Sequence, residues 1–185
     1  MRVFIAIELP GSIQQELAAL QRDLKNVTNS ARWVAPDSIH LTLKFIGETP
    51  EHRIPEIDSA LLGLTWKPFT VSVRGIGFFP GTRSPRVFWA GLEAPPMEGL
   101  AQEVDARMER LGFEKEKRAF RPHLTLARAR DMRIDSSLVI AAEKFEQHAF
   151  GSFTADRFYL VQSTLKPSGA VYNRLKEYLL EPRST

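Results

Sequence analysis

The sequence predicts an α+β protein: two pseudo-symmetric lobes of antiparallel sheet with outer helices, made of duplicated β-α-β units around a central cleft. Three observations predict it. The tetrapeptide His-Leu-Thr-Leu occurs twice, at 40–43 and at 123–126. Each copy closes a strand–helix–strand succession of nearly the same length. Each is then followed by a further helical pattern and a further strand pattern, so the chain reads as one unit written twice.

The elements follow from local patterning. "VFIAIEL" (3–9) is a short Val/Ile-rich run stopped by Pro10-Gly11, which reads as a strand. Ser12 with Gln15 three residues on has the form of a capping box, and Ile13, Leu17, Leu20 and Leu24 recur at helical spacing until about Asn26. After a loop carrying Trp33 and Pro36, "IHLTLKF" alternates strictly. That predicts Ile39, Leu41, Leu43 and Phe45 on one face and His40, Thr42 and Lys44 on the other, with Gly47 ending the strand. In the second half "RVFWAGL" (86–92) is a strand broken by Pro95-Pro96. Leu100, Val104, Met108 and Leu111 form a helical stripe closed by Gly112, and "PHLTLAR" is the matching strand. The later echo pairs a helix over 51–62 and the strand 69–79 with a helix over 136–147 and the strand 157–163. A last helix is expected after Pro167-Ser168-Gly169, from Val171 to Leu180. The turn at 78–85 divides the pseudo-repeat into halves of about 1–82 and 83–185, two lobes of a single bilobal domain, since each half is too small to bury a good core alone.

Composition excludes several function classes. The 185 residues include no cysteine, which removes disulfide scaffolds, thiolate metal sites and cysteine nucleophiles, and fits a cytoplasmic protein. "MRVFIAIELP" meets a proline too early for a secretory signal, and no apolar run approaches the roughly 18 residues of a membrane span. The net charge of +3 is too small for a generic nucleic-acid coat but suits a site for one anionic group. That charge is uneven: arginines 118, 121, 128, 130 and 133 surround the second motif with Asp131 as the one acid among them.

A His-x-Thr on a strand is ordinarily a half-exposed polar face. Two of the four histidines carrying it by chance has odds of roughly 2%, and both copies stand at equivalent points of a repeat. If each lobe turns its motif strand to a shared cleft, His40 with Thr42 and His123 with Thr125 flank one bound group. His52 and His148, on predicted helices among charged neighbours, read as surface histidines. Two histidines flanked by threonines are a poor metal-ligand set, so no metal is expected, and without G-x-S-x-G a serine triad has no support. Two imidazoles supply an acid and a base at neutral pH, threonine hydroxyls donate to phosphoryl oxygens, and arginine grips phosphate. The twin motifs leave the acid and the base unassigned.

With "RVFIAIELP", Trp33 plus "IHLTLKFIGE", "RPHLTLAR" and "STLKPSGAVYNRL" in order along nearly the whole chain, the sequence resembles the two-histidine phosphoesterases, most closely the RNA 2′,3′-cyclic phosphodiesterases, also called 2′-5′ RNA ligases. The resemblance implies hydrolysis of a terminal 2′,3′-cyclic phosphate on RNA to a 2′-phosphate, with no metal and no cofactor. His123 would activate water and His40 would protonate the 3′ oxygen. It implies as substrate an RNA end, such as a tRNA fragment, or a small cyclic-phosphate nucleotide, acted on by a monomer with no membrane partner. Arg128 matches the family's arginine after the second motif, yet strict alternation turns it away from His123. It reaches the site only if the strand ends or bulges near Ala127. The rival readings are the reverse reaction, a 2′-5′ ligation, and a binding module for a nucleotide or RNA end without turnover.

Overall fold

The computed structural model describes residues 1–166 and 169–181 of the chain. Strand β1 (Arg2–Glu8) leads through helix α1 (Gly11–Leu24) and the short strand β2 (Ala31–Trp33) to β3 (His40–Glu48). Then come α2 (Ile54–Leu62), β4 (Phe69–Phe79), β5 (Val87–Glu93), α3 (Pro96–Arg110) and β6 (His123–Ala129). The order closes with α4 (Ser136–Ala142), β7 (Ala149–Ala155), β8 (Arg157–Lys166) and β9 (Gly169–Leu179).

The strands form two antiparallel sheets, ordered β3-β1-β8-β9 and β2-β6-β5-β4-β7. Laid side by side, β3 corresponds to β6, β1 to β5 and β8 to β4, so the pseudo-symmetry read from the sequence is present. The halves of the repeat do not coincide with the two sheets. The turn at 78–85 joins β4 and β5, neighbours in one sheet, so the two halves of the sequence are not the two lobes of the structure. The first half keeps β1 and β3 in the first sheet and sends β4 to the second; the second half keeps β5, β6 and β7 in the second sheet and sends β8 to the first. The helices cross as well. α3, from the second half, packs on β3, while α1, from the first half, packs on β7 and α4. Neither lobe is therefore complete without both halves.

β1 is buried along nearly its whole length because both of its faces are covered. Val3, Ile5 and Ile7 enter the main core with the helices; Phe4 and Ala6 join Tyr159 and Val161 in a small cluster on the opposite face. α1 and α3 bury matching stripes: Met97, Ala101, Val104 and Met108 follow Ile13, Leu17, Leu20 and Leu24 at one constant offset.

Four sequence expectations need correction. Ser12 makes no cap; α1 starts at Gly11 behind Pro10, whose carbonyl accepts from the Gln14 amide. The helix expected over 136–147 stops at Ala142 and tightens into a 3-10 turn over Glu143–Phe145, leaving His148 exposed outside it. The segment 149–155, read as no element, is β7. The expected helix Val171–Leu180 is the strand β9; of its expected start, Pro167 and Ser168 lie outside the described residues. The last error has a cause. A bulge opposite Leu160 and Val161 leaves Leu175 as the extra residue, and this break in alternation spaces the inward apolar side chains like a helical stripe.

β9 is anchored at its far end. The Tyr178 ring stacks on Phe158 at 4.9 Å, and its hydroxyl donates to Asp58 Oδ1 at 2.9 Å, while Lys176 Nζ approaches Asp58 Oδ2 at 3.0 Å. Tyr178→Phe leaves Asp58 one donor short and should lower stability by about 1–2 kcal/mol. A shifted urea midpoint at unchanged slope is the expected result; an unchanged midpoint would show the bond contributes nothing.

Candidate functional site

Both motifs lie on strands whose inner face is set by the register of the neighbouring strand. In the first sheet Glu8 is opposite His40 and Ala6 opposite Thr42; in the second, Gly91 is opposite His123 and Trp89 opposite Thr125. The His40 ring stacks on Phe4 at 4.5 Å and meets Tyr172 edge-on at 5.0 Å. This puts His40 on the Phe4–Tyr159–Val161 face, away from the main core. The His123 ring meets Phe79 edge-on at 5.0 Å.

The two imidazoles are oriented by the same bond. His40 Nδ1 lies 2.9 Å from the Ser38 carbonyl and His123 Nδ1 lies 2.7 Å from the Arg121 carbonyl, each two residues back. A carbonyl only accepts, so each Nδ1 carries a proton and each Nε2 is the free position. The Thr42 and Thr125 hydroxyls have no hydrogen-bond partner among the described residues.

Each motif is followed by a β-bulge at the same place. Ala6 pairs with Thr42 and Ile5 with Lys44, leaving Leu43 extra; Trp89 pairs with Thr125 and Phe88 with Ala127, leaving Leu126 extra. The bulge reverses the faces assigned by alternation beyond it. Lys44, expected beside His40, is buried on the core side, and Phe45, expected in the core, is 61% exposed beside Phe4. In β6, Ala127 goes inward and Arg128 comes out on the face of His123 and Thr125. The condition set for Arg128 by the sequence is thus met. Its charge acts on both His40 and Tyr172, so a β6 side chain reaches the surroundings of a β3 histidine, and β3 and β6 approach one another where the sheets meet.

Helix side chains from the opposite half of the chain hold both bulges. From α1, Gln21 Nε2 donates to the Leu126 carbonyl at 3.1 Å and to the Val34 carbonyl at 2.8 Å. From α3, Asp105 takes the Lys44 ammonium, which also donates to the Glu114 carbonyl at 2.8 Å. Gln21 and Asp105 occupy the same position of the matching helices, and neither was singled out in the sequence. The signal was one polar residue inside each apolar stripe.

Burial lowers the His40 pKa from its ordinary 6.5 most strongly; the Ser38 bond and the Glu8 charge act upward, and Arg128 acts downward. Beside His40 an open cavity of about 300 Å³ is lined by Phe4, Glu8, His40, Val161, Tyr172 and Arg174. The Glu8 carboxylate is engaged by Arg174. Among the described residues no three His, Asp, Glu or Cys side chains are grouped as metal ligands.

The profile of the LigT-like phosphoesterase family matches residues 7–89 and 93–172. The chain belongs to the LigT-like phosphoesterases. The RNA 2′,3′-cyclic phosphodiesterase of Methanocaldococcus jannaschii is 34% identical over 178 residues, covering 96% of this chain and all of that one. The enzyme of the same name from Thermus thermophilus is 34% identical, covering 97% and 90%. A crystal structure of a Thermus thermophilus protein superposes with a TM-score of 0.83 at 31% identity, covering 100% of both chains. Escherichia coli LigT complexed with 3′-AMP superposes with a TM-score of 0.77 at 26% identity, covering 97% of both. As in other LigT-like chains, the architecture is mixed α+β with two antiparallel sheets. No helix among the described residues is long and apolar enough to cross a membrane.

Two measurements check this site. Lys44 and Asp105 are 4% and 15% exposed, so Asp105→Ala strands a buried ammonium and should cost about 3–5 kcal/mol in chemical denaturation, with an apolar Lys44→Met/Asp105→Leu pair recovering much of it. By NMR, His40 should titrate below 6.5 in the free protein and move up when inorganic phosphate binds. Because the folded state then binds His40's proton more weakly than the unfolded state, His40 costs stability as pH falls from 6.5 through its lowered pKa. Titration at or above 6.5 would contradict this environment.

Proposed function

We propose that the protein is an RNA 2′,3′-cyclic phosphodiesterase that opens a terminal 2′,3′-cyclic phosphate by acid–base catalysis between His40 and His123, leaving a 2′-phosphate. The observation that carries the reading is the matched pair of imidazoles, each with Nδ1 tied to a carbonyl two residues back and Nε2 left free, on the two strands that approach across the sheets. The relatives bearing the phosphodiesterase name match nearly the full chain. An imidazole locked in one tautomer is prepared for proton transfer; a site for binding alone has no need of two.

In this reaction a water oxygen attacks phosphorus in line with the P–O3′ bond. Its proton passes to His123 Nε2, the P–O3′ bond breaks, and His40 Nε2 delivers a proton to O3′. Thr42 and Thr125 donate to the non-bridging oxygens, and Arg128 grips the phosphoryl group through its planar fork. No step requires a metal. The placement of Arg128 gives the acid a reason to charge at the right moment. In the free protein burial and Arg128 act together to keep His40 neutral, against Ser38 and Glu8. A bound phosphoryl anion neutralises Arg128 and adds negative charge of its own, so His40 takes up a proton as substrate arrives. Across the ladder His123 has Gly91 where His40 has Glu8, so the acid side alone has a carboxylate beside it.

The test is turnover of an RNA ending in a 2′,3′-cyclic phosphate, with the product position identified. His40→Ala and His123→Ala should each lose at least about 100-fold in kcat, with His52→Ala and His148→Ala close to wild type. The profile should be bell-shaped in pH, and EDTA should leave the rate intact. Near-normal turnover in either motif variant, or activity restored only by a divalent ion, overturns the mechanism. A 3′-phosphate product would place the acid on the 2′ oxygen instead.

A further inference from the structure

β2 is a three-residue strand on the outer edge of the second sheet, and its register places Arg32 directly opposite Arg128. Directly opposed residues of an antiparallel pair share a face. The neighbours of Arg32 confirm which face. Ala31 is buried in the main core, and the Trp33 ring packs edge-on against core Phe88 at 6.0 Å, so Arg32 projects from the other side, with Arg128. Both arginines are exposed, and neither has an ion-pair or hydrogen-bond partner among the described residues. Like charges directly opposed on a sheet repel, and this pair has no carboxylate to offset the repulsion. The other sheet differs: Arg174 pairs with Glu8, and Arg157 with Asp156 and Glu177. Arg2 of the first sheet is also exposed without such a partner and acts on Tyr172, so what sets the β2–β6 side apart is two unpartnered arginines directly opposed. Exposed Arg130 extends that side, its amide donating to the Ser30 carbonyl just before β2.

The geometry orders the two guanidiniums. Arg128 is on β6, the strand that approaches β3, and on the face of His123. Arg32 is one strand further out, about 4.8 Å across the sheet, on the rim. A 2′,3′-cyclic phosphate forms only on the last ribose of a strand, so the remainder of the polymer leaves through that ribose's 5′ oxygen. The next anion along it is a phosphodiester, lying outward from the cyclic phosphate. We infer that Arg32 binds the phosphodiester on the 5′ side of the terminal nucleotide, so that the site reads the end of an RNA strand and not merely a cyclic-phosphate nucleotide. This rests on the cyclic phosphodiesterase reading above. The strand then runs outward over β2, past Arg130.

The experiment compares kcat/KM for a nucleoside 2′,3′-cyclic monophosphate with that for a trinucleotide ending in the same nucleoside and cyclic phosphate, using wild type, Arg32→Gln and, as a control of equal charge change, Arg22→Gln on the exposed face of α1. The wild type should prefer the trinucleotide. Arg32→Gln should reduce the trinucleotide-to-mononucleotide ratio about tenfold, mainly through KM, as loss of one charge-assisted bond predicts. The salt dependence of the trinucleotide KM should fall by about one unit of log–log slope in this variant. Arg22→Gln should change neither. Removing one of two opposed like charges should leave thermal stability at or above wild type. An unchanged ratio, an equal effect of Arg22→Gln, or a variant that unfolds below wild type overturns the assignment of Arg32. A wild type that hydrolyses neither substrate defeats the phosphodiesterase reading itself, a distinct result that removes the inference with it.

Discussion

One extra residue in each motif strand governs the geometry of the cleft. Leu43 and Leu126 are inserted immediately after the two threonines, and each insertion exchanges the faces of everything that follows. Without it Arg128 would point into the core and Lys44 would stand in the cleft. A bulge leaves part of the ladder unpaired, so it persists only when other groups satisfy the freed positions. Here the Leu126 carbonyl accepts from the Val34 amide and the Gln21 side chain, and Lys44 is taken by Asp105 and the Glu114 carbonyl. One pin is a neutral amide and the other an ion pair, although both come from the same position of matching helices. The charged pin belongs to the strand whose bulge puts an ammonium inward, where an unpaired cation would be costly.

Those pins cross between the halves of the chain, and so do β4 and β8. α1 holds the second motif and α3 holds the first. The segment that Lys44 grips at Glu114, and whose Glu116 amide donates to Asp105, leads directly into His123. The two motif strands are therefore not carried on separate bodies joined by a hinge. Each is fixed by side chains of the opposite half, an arrangement that holds the free Nε2 positions where they are before any ligand arrives.

Much of this was legible in the sequence, because it was written locally. The motif strands, the three longest helices and the strands around residues 4, 72, 90 and 160 follow from periodicity over a few residues. What was lost depended on distant partners. Period-two reading put Phe45 inside and Lys44 outside because a bulge is defined only against the neighbouring strand. The same blindness turned β9 into a helix. β2 and β7 are edge strands, one of three residues and one rich in small polar residues, and neither has an apolar pattern of its own. The apparent capping box at Ser12 failed because Pro10 and Gly11 start the helix one residue earlier. The division at 78–85 followed the repeat faithfully; exchange of strands and helices between sheets leaves no mark in a linear pattern. The motif histidines and threonines were legible as a pair of twins, while Gln21, Asp105 and Arg32 gained meaning only from what they face.

The twin backbones make the differences between the two sides informative. Equivalent ladder positions hold Glu8 and Gly91 beside the two histidines, and equivalent bulge exits hold Phe45 and Arg128. One side thus presents an aromatic surface with a carboxylate near its histidine, and the other presents cationic charge without one. A symmetric site would bind a cyclic phosphate equally well in two orientations and direct a proton to either oxygen. In the proposed reaction the asymmetry breaks that tie. The phosphoryl group and the outgoing strand are drawn toward the arginines of β6 and β2, which leaves the nucleoside toward Phe4, Phe45 and Tyr172, next to His40, whose proton affinity is lowered most by burial and further by Arg128. The shared backbone sets two matching Nε2 positions, and the unshared side chains give them different surroundings.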